Sequence, residues 1–152
     1  MSELTKNEKI LIEEIKIVQD IIKRMADNSF KIKAWAITLV VATLLIKSNV
    51  NNYFIALIPL ITFWFLDAYY LQQEKIFRKI YDDKVKNKTT NDSTMFKINP
   101  NDFKKDVSNI FSIMFWNKSI TPLYVTILTL LILLSEKINI EVIQCLKKCV
   151  GV

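Results

Sequence analysis

The sequence predicts an all-α membrane protein, and three observations carry that prediction. The 152 residues include one Gly and three Pro, too few turn formers for a sheet of short strands. Apolar residues make up 51% of the chain and the mean hydropathy is +0.23, with Ile and Leu gathered into blocks. Basic residues outnumber acidic ones, 21 to 15, and they flank the apolar blocks as cytoplasmic loops of membrane proteins do. The expected order is a cytosolic amphipathic helix (residues 1–30) and a transmembrane helical hairpin that continues into a cytosolic helix (31–81). A cytosolic linker with an interfacial helix (82–119), a third membrane helix (120–135) and an amphipathic tail (136–152) follow.

In residues 1–30, Leu4, Leu11, Ile15, Val18, Ile22 and Met25 recur at spacings of three, four or seven, with Lys9, Glu13, Lys16, Asp20 and Lys23 on the other sides. Ile15 and Ile22 fit heptad position a, and Leu4, Leu11, Val18 and Met25 fit d. Ile10, Ile17 and Ile21 add a second stripe. This wide face packs either on helices of the same chain or on other copies; in the second case it favours more than two chains, with a tetramer expected. Asp27, Asn28 and Ser29 then predict a helix boundary or kink.

Residues 34–46 are all apolar or Thr, with Lys31 and Lys33 before them and Lys47 after. As a helix this run rises only about 20 Å, short of a hydrocarbon core of roughly 30 Å, so Phe30, Ile32 and Val50 must join the span while the lysines snorkel. Trp35 sits at an interfacial position. Residues 53–71 form the second span, with Pro59 as a tolerated kink. The polar stretch 82–101 ends in a turn at Asn99 and Pro100, and residues 102–116 alternate charged and apolar residues, with Phe111, Met114, Phe115 and Trp116 at the end. That pattern predicts an interfacial helix leading into the run 120–134, where Pro122 suits a first turn. The run either spans the membrane or is buried as a hydrophobic helix; spanning puts the tail outside, where Ile138, Val142, Cys145, Leu146 and Cys149 coat the far interface. Lys and Arg number seven in residues 1–33, one at the hairpin tip and ten in residues 72–119, which predicts a cytoplasmic N-terminus and centre.

Composition also excludes chemistry. The chain has no His, and its only Gly, at position 151, leaves no phosphate-cradling loop. Ser29, Ser112 and Thr126 have no partner base to make a nucleophile. Asp82 and Asp83 are followed at once by Lys84, and Cys145 and Cys149 have neither disulfide-framework nor usual zinc spacing. No enzyme, metal or cofactor is expected.

Asp67 is the most informative residue, because a carboxylate in an apolar span must be paired or watered. It neutralises Lys33 or Lys31 on the neighbouring helix, belongs to an ion path or gate, or moves protons as in a carrier. Asp67, Tyr70, Leu71, Glu74, Arg78 and Tyr81 share one face, and Glu74 and Arg78 are an i, i+4 pair in the favourable order. Lys84, Lys86, Lys88, Lys97, Lys104 and Lys105, interleaved with Phe96 and Phe103, read as a solvated loop following anionic lipid or as phosphate contacts. Stable binding of a nucleic-acid duplex is not expected.

The stretch RMADNSFKIKAWAITLV, the apolar hairpin and then FWFLDAYYLQQEKIFRKIYDD resemble the SLATT superfamily, small bacterial two-span membrane effectors found with nucleotide-signalling antiviral systems. The resemblance covers roughly residues 20–83 and rests on Asn28, Ser29, Lys33 and Trp35 before the hairpin and on Asp67, Tyr70, Glu74 and Arg78 after it. It implies a homo-oligomeric pore or ion channel in the bacterial inner membrane. A nucleotide from a partner nucleotidyltransferase would open it, depolarising an infected cell and ending its growth. On that reading Asp67, Tyr70 and Glu74 form the pore or gate, and Arg78, Lys97, Lys104 and Lys105 hold the anionic ligand. Two alternatives stand beside it: a constitutive pore restrained by a protein partner, and a non-conducting anchor for a soluble enzyme.

Overall fold

A computed structural model describes residues 5–46, 52–87 and 98–134, and all regular structure among them is helical. Helix α1 is Lys6–Ile46 and α2 is Asn52–Asn87. Short α3 (Pro100–Phe103) runs into a 3-10 turn, Lys104–Asp106, and α4 (Ile110–Trp116) precedes α5 (Thr121–Leu134). At 1.5 Å per residue α1 is about 61 Å long and α2 about 54 Å, so each exceeds a hydrocarbon core of roughly 30 Å and must carry an apolar and a polar half. Both are apolar enough to cross a membrane, and α5 qualifies as a third crossing only together with α4, from which it bends by 66°. The protein is an all-α membrane protein.

The helix starts are written locally. At the head of α1 the Thr5 backbone N–H donates to Glu8 Oε2 at 2.8 Å and its hydroxyl donates to the same oxygen at 2.9 Å, while the Glu8 N–H reaches back to the Thr5 hydroxyl. This is a capping box, which satisfies donors that the first turn leaves free. The expected turn at Asn99 and Pro100 is the start of α3, with Asn99 capping the Asn101 N–H and Pro100 in the first turn.

Three expectations are corrected. Helix α1 passes unbroken through Asp27, Asn28 and Ser29, because the Ser29 side chain bonds across to α2 and does not compete for its own backbone. Helix α2 runs on to Asn87, past the expected end at residue 81, because Ile80 and Lys84 are buried there. Residues 102–116 are not one helix: Val107 is extended (φ −115, ψ 140), which ends the 3-10 turn and lets α4 start afresh after Asn109. Leu4, Phe96, Lys97 and the tail 136–152 lie outside the described residues.

α1 and α2 pair antiparallel, as the contacts Glu14 to Lys84, Gln19 to Tyr81 and Lys33 to Asp67 require. On α2 every fourth residue is buried: Ala56, Leu60, Trp64, Ala68, Gln72, Ile76, Ile80 and Lys84. Four residues turn a helix by about 400°, so this ladder winds by about 40° per step and meets different partners in turn. Trp64 and Gln72 bond to the α4 region, and Lys84 bonds to α1. Helix α2 is therefore the centre of the bundle. On α1 the expected seam is only partly closed: Val18 is fully buried, Leu11, Ile15, Ile22 and Met25 are half-buried, and Ile17 stays exposed.

The outer surface of the apolar half suits lipid. Leu45 is 81% exposed and Ile58 66%, with Ile37, Val41, Ile55, Ile61, Leu130, Ile132 and Leu133 also exposed, large apolar side chains left bare along helices apolar enough to cross a membrane. The hydroxyls on this surface are silenced. Thr38, Thr43, Thr62, Thr126 and Thr129 each donate to the carbonyl four residues earlier, at 2.7 to 2.9 Å, so none of these five hydroxyls offers hydrocarbon a free donor.

Candidate functional site

Where the two halves meet, Asp67 has no exposed surface. Lys33 reaches over from α1 and places its Nζ 2.8 Å from each carboxylate oxygen. The Oδ1 contact is a hydrogen bond, whereas the Oδ2 contact is ionic without hydrogen-bond alignment. Ser29, one turn before Lys33, donates its hydroxyl to Asp67 Oδ1 and accepts from Lys33 Nζ at 2.8 Å. Of the two lysines expected to neutralise Asp67, Lys33 is the one that does so; the Lys31 side is exposed. A carboxylate removed from water is stable only with such compensation.

Helix α5 closes this cluster. The fully buried Tyr124 lies beside the Asp67 carboxylate, donates its hydroxyl to the Phe63 carbonyl at 3.2 Å, and stacks on Trp64 with ring centroids 5.6 Å apart. Trp64 then donates its indole N–H to the Met114 carbonyl at 2.9 Å, and the Thr121 hydroxyl donates to the same carbonyl at 3.2 Å. That carbonyl lies at the end of α4, where no intrahelical donor follows. The junction of α4 and α5 is thus pinned to α2 one turn from the ion pair.

The remaining sequence-predicted residues lie along the face of α2 turned to α1. Tyr70 is half-buried and meets Tyr69 edge to face at 5.6 Å. Glu74 is nearly buried and takes the Arg78 guanidinium at 2.7 and 2.8 Å. Arg78, with 61% of its side chain exposed, borders two clefts. One, of about 440 Å³, lies between the helices and is lined by Gln19, Lys23, Arg78, Tyr81 and Asp82 among others. The other, of about 250 Å³, has Lys75, Lys79, Asp82 and Asp106. Lys104 and Lys105 are exposed on the 3-10 turn and line neither. Of the ligand residues expected from the resemblance, Arg78 borders both clefts while Lys104 and Lys105 line neither; Lys23, which sequence reasoning did not single out as a ligand, stands with Arg78.

Two further features were not anticipated. Glu14 and Lys84 form a second buried ion pair at 2.9 Å, with side chains 3% and 11% exposed. This corrects the reading of Lys84 as part of a solvated loop. The other is Trp64 itself, whose apolar context gives no hint that its N–H holds α4. No protein-family model, curated protein or solved structure matches this chain.

Proposed function

We propose that this chain is the subunit of a homo-oligomeric membrane pore or channel, an effector of bacterial antiviral defence that depolarises the inner membrane when a nucleotide second messenger binds. The observation that carries the reading is the Lys33–Asp67 pair. It sits where the apolar segments end, with its carboxylate fully buried beside Tyr124 of α5 and its lysine partly exposed, an arrangement that suits a closed gate. Opening it would bring charge and water to the mouth of a span. The resemblance to SLATT effectors over roughly residues 20–83 supplies the biological setting. The wide Ile-bearing face of α1, with Ile17 exposed, supports association of several chains, a tetramer in this proposal.

In this arrangement the polar half lies in the cytosol, where the lysines and arginines concentrate. The messenger enters the cleft between α1 and α2, where its phosphates compete with Glu74 for Arg78 and gain Lys23. It opens the pore only insofar as it binds the open state better than the closed one.

Conductance across proteoliposomes, with and without cyclic nucleotides and oligonucleotides, tests the proposal. A current that appears only with a nucleotide is the expected result. Unconditional current would point to a pore restrained by a protein, and no current to a membrane anchor. Mass measurement in detergent giving a monomer or dimer would remove the shared pore. Cysteine labelling from outside, on a background lacking Cys145 and Cys149, is expected at position 52 and not at 99; the reverse pattern would invert the orientation.

A further inference from the structure

We propose that the junction of α4 and α5 carries a binding site for the headgroup phosphate of an anionic phospholipid. A small cavity of about 140 Å³ opens there, lined by Lys75 of α2 and by Ser108, Ser112, Trp116 and Asn117, with Ile113 at its base. It is well below the roughly 300 Å³ at which pockets take drug-sized ligands, so it fits a headgroup and not a nucleotide.

Its polar lining is made of donors. Lys75 makes no ion pair among the described residues, Ser108 and Ser112 offer hydroxyls, and Trp116 offers an indole N–H. The Asn117 side-chain Oδ1 accepts from the Ser119 N–H at 2.8 Å, which leaves its side-chain NH₂ to donate. No carboxylate lines this cavity, whereas Asp82 lines both larger clefts. One cation surrounded by neutral donors suits a singly charged phosphodiester.

Position selects the lipid over a soluble phosphate. The cavity borders the foot of apolar α5, and Phe111, Phe115 and Trp116 on α4 are 69%, 53% and 86% exposed. Aromatic side chains left bare beside a membrane segment occupy the headgroup level. A phosphate bound at Lys75 would leave its acyl chains running along α5 and α2. The inference needs only the membrane location and stands or falls separately from the pore.

Native mass spectrometry of the delipidated protein in detergent tests it, using phosphatidylglycerol, phosphatidylcholine and inorganic phosphate as probes. The expected result is retention of phosphatidylglycerol in preference to phosphatidylcholine, unaffected by millimolar inorganic phosphate. Lys75→Gln should weaken that retention about tenfold or more, the usual weight of a charge-assisted contact. Ser112→Asp, on an exposed position, should do the same by repulsion and serves if Lys75→Gln folds poorly. Equal retention of both lipids, or displacement by inorganic phosphate, would overturn the proposal. So would a loss on Lys104→Gln with Lys105→Gln as large as that on Lys75→Gln, since it would reveal diffuse attraction without a site.

Discussion

Replacing Asp67 by Asn removes one charge from the Lys33–Asp67 pair and alters little else. The amide keeps the size of the carboxylate and an oxygen for the Ser29 hydroxyl, yet Lys33 Nζ loses the anion that it holds at 2.8 Å. Breaking a buried pair from one side costs about 3 to 5 kcal/mol. The Lys33 side chain is 19% exposed, and its long stem can carry the ammonium part of the way toward water, which sets the expectation at the lower end, about 3 kcal/mol. For a chain of this size that corresponds to a fall in melting temperature of roughly 6–12 °C. Thermal unfolding in detergent, followed by circular dichroism, reads the loss. The double variant with Lys33→Gln should recover at least part of it, because no charge then remains uncompensated. A single variant that melts and assembles like the native protein would refute the reasoning. If that variant also conducts with unchanged selectivity, Asp67 has no role in the pore.

The second ion pair should behave likewise in the polar half: Lys84→Gln leaves the Glu14 carboxylate buried without its ammonium and should lower stability by about 3 kcal/mol, with Glu14→Gln added to it restoring part in a urea titration. An unchanged midpoint for Lys84→Gln would show that the pair contributes nothing. Trp64→Phe keeps an aromatic face but removes the N–H that holds the Met114 carbonyl, so hydrogen exchange in residues 110–124 should quicken while residues 6–30 keep their protection; uniform acceleration would mean that Trp64 acts as general core. The two hydrogen bonds from Thr5 hold the Glu8 carboxyl below its ordinary value of 4.5. What they add to the helix end is present above that ordinary value and is lost as pH falls through the depressed one. A side-chain carbon titration by NMR should show Glu8 protonating below 4.5, and a midpoint at or above it would contradict the capping box.

The sequence showed the hairpin, the pairing of Asp67 with Lys33 as one of two readings, and the bond between Glu74 and Arg78. Each follows from a local period or from the expense of a charge among apolar neighbours. The structure adds what no short window can hold. Glu14 and Lys84 are 70 residues apart in the chain, and each alone looks like an ordinary exposed charge on an amphipathic helix. Asp27, Asn28 and Ser29 look like a break because all three favour turns, yet a hydroxyl bonded to a distant carboxylate carries the helix through.

The two buried ion pairs also fix how the hairpin can move. They stand about 28 Å apart along α1 and about 26 Å apart along α2, and both are made by lysines whose carboxylates lie on the opposite helix. A piston stroke of one helical turn, about 5.4 Å, would strip both carboxylates at once. A tilt or rotation of the whole hairpin strips neither. The two pairs therefore oppose sliding of α1 against α2 and leave the hairpin to move as one body.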